Sequence, residues 1–256
     1  MTSSSRFPRR AARAFTLLEA MIALVIVALL ASGLAVPLAA QVQMRRHEET
    51  RRALEEARDA LLGFVAAHGR LPCPATAESL GLESFAPGGD SSNGACANFH
   101  AGFFPGAALG LASLDAQGFL RDGWGGERNR VRYAVHGAAI NSISHPLTRA
   151  NGLQMATLEG VGAAPHYLFV CAAGTGATAG GSGPASNQLT RRAAFVLLST
   201  GANGSLEPAA GTDEAKNLDG DVSFVAREAA ADFDDLVLWG AIHLVVNRMV
   251  VVGRLP

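Results

Sequence analysis

Lysine is almost absent from this chain of 256 residues. Lys216 is the single one, and beyond the first fourteen residues no basic run exceeds two. A nucleic-acid surface needs clustered cations to displace phosphate counterions, so none is expected here. Catalytic signatures are missing too. The seven histidines (His47, His68, His100, His136, His145, His166, His243) include no pair at the spacing of a helical metal site, and there is no HExxH, no GxSxG and no Walker lysine. Gly174-Thr-Gly176-Ala-Thr-Ala179 matches a relaxed dinucleotide fingerprint, but Gly-Gly-Ser-Gly-Pro follows it where a helix is required, so it reads as a loop. Ser199 beside Thr200 has no assignable base. With 49% hydrophobic and 17% charged residues, the chain is not disordered throughout.

What is present is unevenly placed. Arg6, Arg9, Arg10 and Arg13 stand in the first fourteen residues, leaving 17 basic against 22 acidic residues in the remainder. Ala20–Ala40 then runs for 21 residues without a charge, enough for a helix of about 30 Å, the thickness of a bilayer core. Arginines ahead of it should stay cytoplasmic, which would export everything after Gln41. A cleaved signal peptide shares the basic start, yet its apolar core is shorter and ends at a small-residue cleavage site, for which Ala39-Ala40 is a poor candidate. Glu19 interrupts the apolar stretch, where a carboxylate is costly without a partner unless it simply lies at the membrane edge. Helical patterning continues through Leu54, Ala57, Leu61 and Phe64, opposite a charged face from Arg45 to Asp59.

Ala14-Phe15-Thr16-Leu17-Leu18-Glu19-Ala20 followed by the apolar run resembles the N-terminus of type IV prepilins and type II secretion pseudopilins. The resemblance implies that a prepilin peptidase cuts between Ala14 and Phe15 and methylates the new amine of Phe15. Ala14 stands where that family usually has Gly. It also implies that Glu19 faces the Phe15 amine of a neighbouring subunit in a filament, a buried pair that sets register more than it stabilises. The organisation expected is a leader over 1–14, a long helix over 15–67 that is transmembrane over about 20–40, and a periplasmic α+β head over 68–256. Its partners would be the prepilin peptidase, other pilin-like subunits and an inner-membrane assembly platform.

Gly69, Pro72 and Pro74 stop the helix, and residues 75–118 read as a long loop region. Cys73 and Cys96 are a plausible disulfide in an exported head, with other connectivities left open, while Cys171 sits in an apolar strand pattern. Strands are expected at Arg130–His136, Tyr167–Cys171, Ala193–Leu198 and Val222–Ala226, forming a small antiparallel sheet on Leu54, Leu61 and Phe64.

The rest of the chain resembles the pseudopilins at three further landmarks. Asp122-Gly123-Trp124-Gly125 is similar to an Asp-Pro-Trp-Gly turn, with Gly123 in place of Pro. Gly201-Ala202-Asn203-Gly204 is similar to a Gly-Ala-Asp-Gly loop, and Asp234-Asp235 to Trp239 is similar to a later Asp-Ile…Trp segment. Residues 137–192 look like an insertion. In that family the last two segments build a calcium site, which implies Ca2+ ligands at Asn203, Asp234 and Asp235, with Asp219 or Asp221 as replacements for the charge missing at Asn203. From the residues alone, Asp234 is also a natural cap for a closing helix with Leu236, Trp239, Ile242, Val246 and Met249 on its apolar face. The expected function is a structural subunit of a type II secretion pseudopilus or related filament. The alternatives are a minor type IV pilin for adhesion, motility or DNA uptake, and a membrane-anchored periplasmic enzyme or binding protein.

Overall fold

The computed structural model describes residues 16–174, 187–204 and 207–255, with the side chains of 30–39 left aside. The chain divides into two compact units, Met1–Arg45 and Arg46–Pro256. Helix α1 runs Leu17–His68. Thr16 opens it, its Oγ1 accepting the Glu19 amide at 3.2 Å and so satisfying one of the helix's orphan donors. In the first unit, Leu17, Leu18, Met21, Ile22, Leu24, Val25, Ile26, Val27 and Leu29 are all exposed. Among the described residues no helix is long and apolar enough to cross a membrane. The span expected over 20–40 falls in large part on residues 30–39, whose side chains lie outside the described ones.

Among the described residues the second unit is α+β, built on a six-stranded sheet. In chain order its strands are β1 (Gly102–Phe103), β2 (Arg132–Val135), β3 (Leu168–Cys171), β4 (Gln188–Ser199), β5 (Ser223–Val225) and β6 (Leu236–Ala241). Short helices α2 (Gly106–Leu109), α3 (Gly152–Ala156), α4 (Leu158–Ala163) and α5 (Asp213–Leu218) connect them, and α6 (Ile242–Val251) closes the chain. Strand β4 is the spine. Phe195 pairs with Val135 of β2 on one side and Gly240 of β6 on the other, and Ala193 pairs with Leu168 of β3 and with Ala241. Thus β2 and β3 follow one another along the same side of β4.

Two expectations are corrected here. The sheet is mixed, because β5 joins the outer side of β3 in parallel, β4 already holding the other side. The helix expected to start at Asp234 starts at Ile242 instead, since Leu236–Ala241 pairs with β4 from Ser199 to Ala193. Six residues of ladder outweigh the helical spacing of Leu236 and Trp239. Only Ile242, Val245 and Met249 form the buried face of α6.

Strand alternation separates two cores. Tyr133, Val135, Phe195 and Leu197 share a cluster with Leu54, Ala57, Leu61 and Val65 of α1 and with the inner face of α6. Ala134, Val196, Leu168, Val170 and Phe224 form the other. Burying a Leu61-sized side chain contributes about 1.5–3 kcal/mol, so this stripe fixes which face of the helix the sheet meets. Between α1 and β2, Cys73 and Cys96 are bonded to each other, and Cys171 is free and buried. The bridged loop is further tied by Glu83, whose carboxylate takes both Arg70 guanidinium nitrogens at 2.6 and 2.8 Å and the Cys73 amide at 2.8 Å.

Candidate functional site

The landmarks that are far apart in sequence meet at one end of β4. Asp122 is the knot. Its Oδ1 accepts the amides of Trp124 and Gly125 at 2.9 and 3.3 Å, which shapes the turn. Its Oδ2 accepts the Ser199 hydroxyl at 2.6 Å and the Asn129 amide at 3.2 Å, and Asn129 also donates to the Gly201 carbonyl at 2.6 Å. Burial pushes the Asp122 carboxyl above its ordinary pKa, and these donors pull against that. The turn in turn rests on α1: the Gly123 amide donates to Thr50 Oγ1 at 2.9 Å, and that hydroxyl donates to the Arg46 carbonyl at 2.8 Å.

Beyond this knot lies a cluster of acids. Glu214, Asp234 and Asp235 bring carboxylate oxygens within 4.8 Å of one another. The Asn203 amide N–H donates to Asp234 Oδ2 at 3.1 Å, and the Asp234 amide donates to Glu214 Oε1 at 3.1 Å. Asp235, 6% exposed, accepts from Asn217 Nδ2 at 2.8 Å. Asn217 is itself held by β5, giving Nδ2 to the Val225 carbonyl and taking the Val225 amide on Oδ1. Asp234 Oδ1 is buried and has no hydrogen-bond partner among the described residues. Gly201 makes the close packing feasible: its φ is +63°, and a Cβ there would stand 2.4 Å from Asp234 Oδ1.

The electrostatics are those of crowded anions. Burial, then the charges of Glu214 and Asp234, push the Asp235 carboxyl up to about 7, with Asn217 and Arg132 pulling it back. Asp234 is raised chiefly by burial. Chemically, three hard oxygen donors with one orphaned lone-pair atom match a divalent cation such as Ca2+.

Of the residues expected at a cation site, Asp234 and Asp235 come together. Asn203 adjoins them, but its Nδ2 points at both Glu214 oxygens, each at 3.0 Å. Asp219 and Asp221 do not join the cluster. Both pair with Lys216, Asp219 at 2.7 Å. The third carboxylate is Glu214, which the sequence reading missed. A signal for it existed: Thr212 caps α5 by accepting the Ala215 amide, and Asp213 and Glu214 fill the acidic first turn that follows such a cap. Ala14 and Phe15 lie outside the described residues. Glu19 is exposed in the first turn of α1, and Thr16-Leu-Leu-Glu19 has the spacing of a capping box, a local role not read from the sequence.

The architecture is thus an α+β unit that shares its core with the C-terminal part of an N-terminal helix. Comparison with known families adds the particular signature: residues 9–35 match the prokaryotic N-terminal methylation motif. That motif is the mark of type IV pilin-like and pseudopilin proteins. No curated protein and no solved structure matches the chain.

Proposed function

We propose that this chain is a structural subunit of a type II secretion pseudopilus or a related type IV pilus-like filament. The methylation motif over residues 9–35 carries the reading. The precursor sits in the inner membrane with its arginine-rich start in the cytoplasm, anchored by the apolar run to Ala40. A prepilin peptidase cuts between Ala14 and Phe15 and methylates Phe15. An inner-membrane platform then moves the subunit from lipid into a filament interior of similar apolarity, so little hydrophobic energy is lost. Glu19 pairs there with the Phe15 amine of a neighbouring subunit. The exported unit works by its shape, without catalysis and without nucleic acid.

Calcium belongs to the same reading. Glu214, Asp234 and Asp235 would hold it, and the unpartnered Asp234 Oδ1 supports the fit. The ion would supply positive charge among the carboxylates, while the residues themselves tie the 198–204 loop to α5 and to the start of β6.

Intact mass and N-terminal analysis of membrane-extracted protein, from cells with and without an active prepilin peptidase, tests the proposal. An N-methylated Phe15 that depends on the peptidase is expected. A Met1 start or a start near Gln41 in both strains overturns it.

A further inference from the structure

Three consecutive valines stand in solvent at the end of α6: Val250, Val251 and Val252 are 42%, 70% and 40% exposed. A run of exposed apolar residues is unfavourable on a folded surface and marks a place where something else binds. The inner face of α6 is already taken up by the core, through Ile242, Val245 and Met249. Its outer side and α1 wall a shallow open groove of about 360 Å³. Asp59 and Leu62 stand on the α1 wall, and Leu244, Asn247, Arg248 and Val251 on the α6 wall. One turn along from Asp59, Gly63 leaves this side of α1 bare, since no other described atom comes within 4 Å of where a Cβ would stand. Glycine inside a helix is destabilising relative to alanine, and no described residue packs into the space it leaves.

The groove carries one acid on one wall and one base on the other. Arg248 is exposed and makes no ion pair among the described residues. Asp59 meets its chain neighbour Arg58 at 3.2 Å, but its side chain is 70% exposed, and such a surface pair is worth little. With opposite charges on opposite walls and apolar side chains between them, the groove is complementary to itself. A two-fold axis along it sets Arg248 of each copy over Asp59 of the other, with Leu62 against Leu244 and Val251, an arrangement in which one patch serves both sides. A lipid surface would call for an excess of positive charge, which one base balanced by one acid does not supply. An uncharged apolar segment would cover both charges and leave them unpaired.

We propose that this groove is the contact of a two-fold homodimer, its occupant being the same groove of a second copy. The contact closes on itself and so differs from one that repeats along a filament. The inference goes beyond the filament reading and stands without it.

The test is sedimentation equilibrium of the full chain in density-matched detergent micelles, over a range of concentrations at low ionic strength. A monomer–dimer equilibrium is expected. Arg248→Asp and Asp59→Arg each set like charges across the contact and should weaken dimerisation at least about tenfold. The double variant restores an opposite pair on both sides and should return to within about threefold of the wild type. An equimolar mixture of the two single variants should form a heterodimer for the same reason. Both side chains are exposed, so at monomeric concentration every variant should melt with the wild type, which separates lost association from lost folding. The proposal is overturned if the wild type stays monomeric. It is overturned equally if the single variants associate as the wild type does, as contact through the apolar start of α1 would allow, or if neither the double variant nor the mixture recovers.

Discussion

Replacing Gly123 by proline, the residue found at the equivalent turn in the pseudopilins it resembles, should destabilise this protein markedly. Proline has no N–H, so the 2.9 Å bond to Thr50 Oγ1 disappears, a loss of about 1 kcal/mol. A Cβ at this position would also stand 2.2 Å from the Arg46 carbonyl oxygen, which is helix backbone and cannot swing aside. Relieving that overlap by shifting the turn or the helix costs a further 1–3 kcal/mol or so. The total is roughly 2–4 kcal/mol, which lowers the melting temperature by roughly 4–16 °C at 2–4 °C per kcal/mol for a unit of this size. Two further variants separate the contributions. Gly123→Ala keeps the amide and adds the overlap; Thr50→Val removes the hydroxyl and leaves the space alone, costing about 1–2 kcal/mol. Thermal unfolding of the full chain in detergent, followed by tryptophan fluorescence, is a direct assay because Trp124 is the next residue along the turn. If Gly123→Pro melts with the wild type, the contact of this turn with α1 is not what holds either in place.

Other consequences follow from the same geometry. Replacing Cys73 and Cys96 together by serine opens a loop of 23-residue separation and should cost about 3 kcal/mol by the chain-entropy relation; equal denaturation midpoints for oxidised and reduced protein would contradict it. His136 is buried, and burial followed by the charges of His166 and His100 lowers its pKa to about 4. The unfolded chain, at about 6.5, therefore binds this proton more readily, so the stability tied to neutral His136 is full above pH 6.5 and is lost as pH falls toward 4, by up to about 3 kcal/mol. Subtracting the melting profile of His136→Gln from that of the wild type should reveal this slope, and parallel profiles would refute it. Added Ca2+ should raise the melting temperature of the wild type, by about 2.7 kcal/mol of stability at a hundredfold excess over Kd. Asp235→Asn should abolish the gain while melting higher than wild type in chelator at pH 8, because it removes a charge that burial and two neighbouring acids oppose.

The legible parts of this protein were those written locally. The apolar run with Glu19, the stop at Gly69, and the strand at Tyr167–Cys171 each depend on neighbours a few residues away, and the long helix ends at His68. Strand β6 was misread because Leu236, Trp239 and Ile242 have a helical spacing that only the partner strand overrules. The parallel placement of β5 depends on which edge of β3 remained open, a matter of tertiary order that no spacing encodes. At the acid cluster, Asp234 and Asp235 were legible as a pair. Glu214 was hidden because its membership depends on the fold bringing α5 to the start of β6. Gly123 is instructive in the other direction: it looked like a departure from a turn motif, and the structure gives its N–H a partner on α1.

Lys216 carries the chain's single ε-amine, and it is engaged by two carboxylates. Burial lowers its pKa, but Asp219 and Asp221 more than offset that and leave it above the ordinary lysine value. The amine is thus shielded and protonated, a poor nucleophile toward acylating reagents. An amine-directed dye should therefore label this side chain slowly while the unit is folded and readily once it is unfolded.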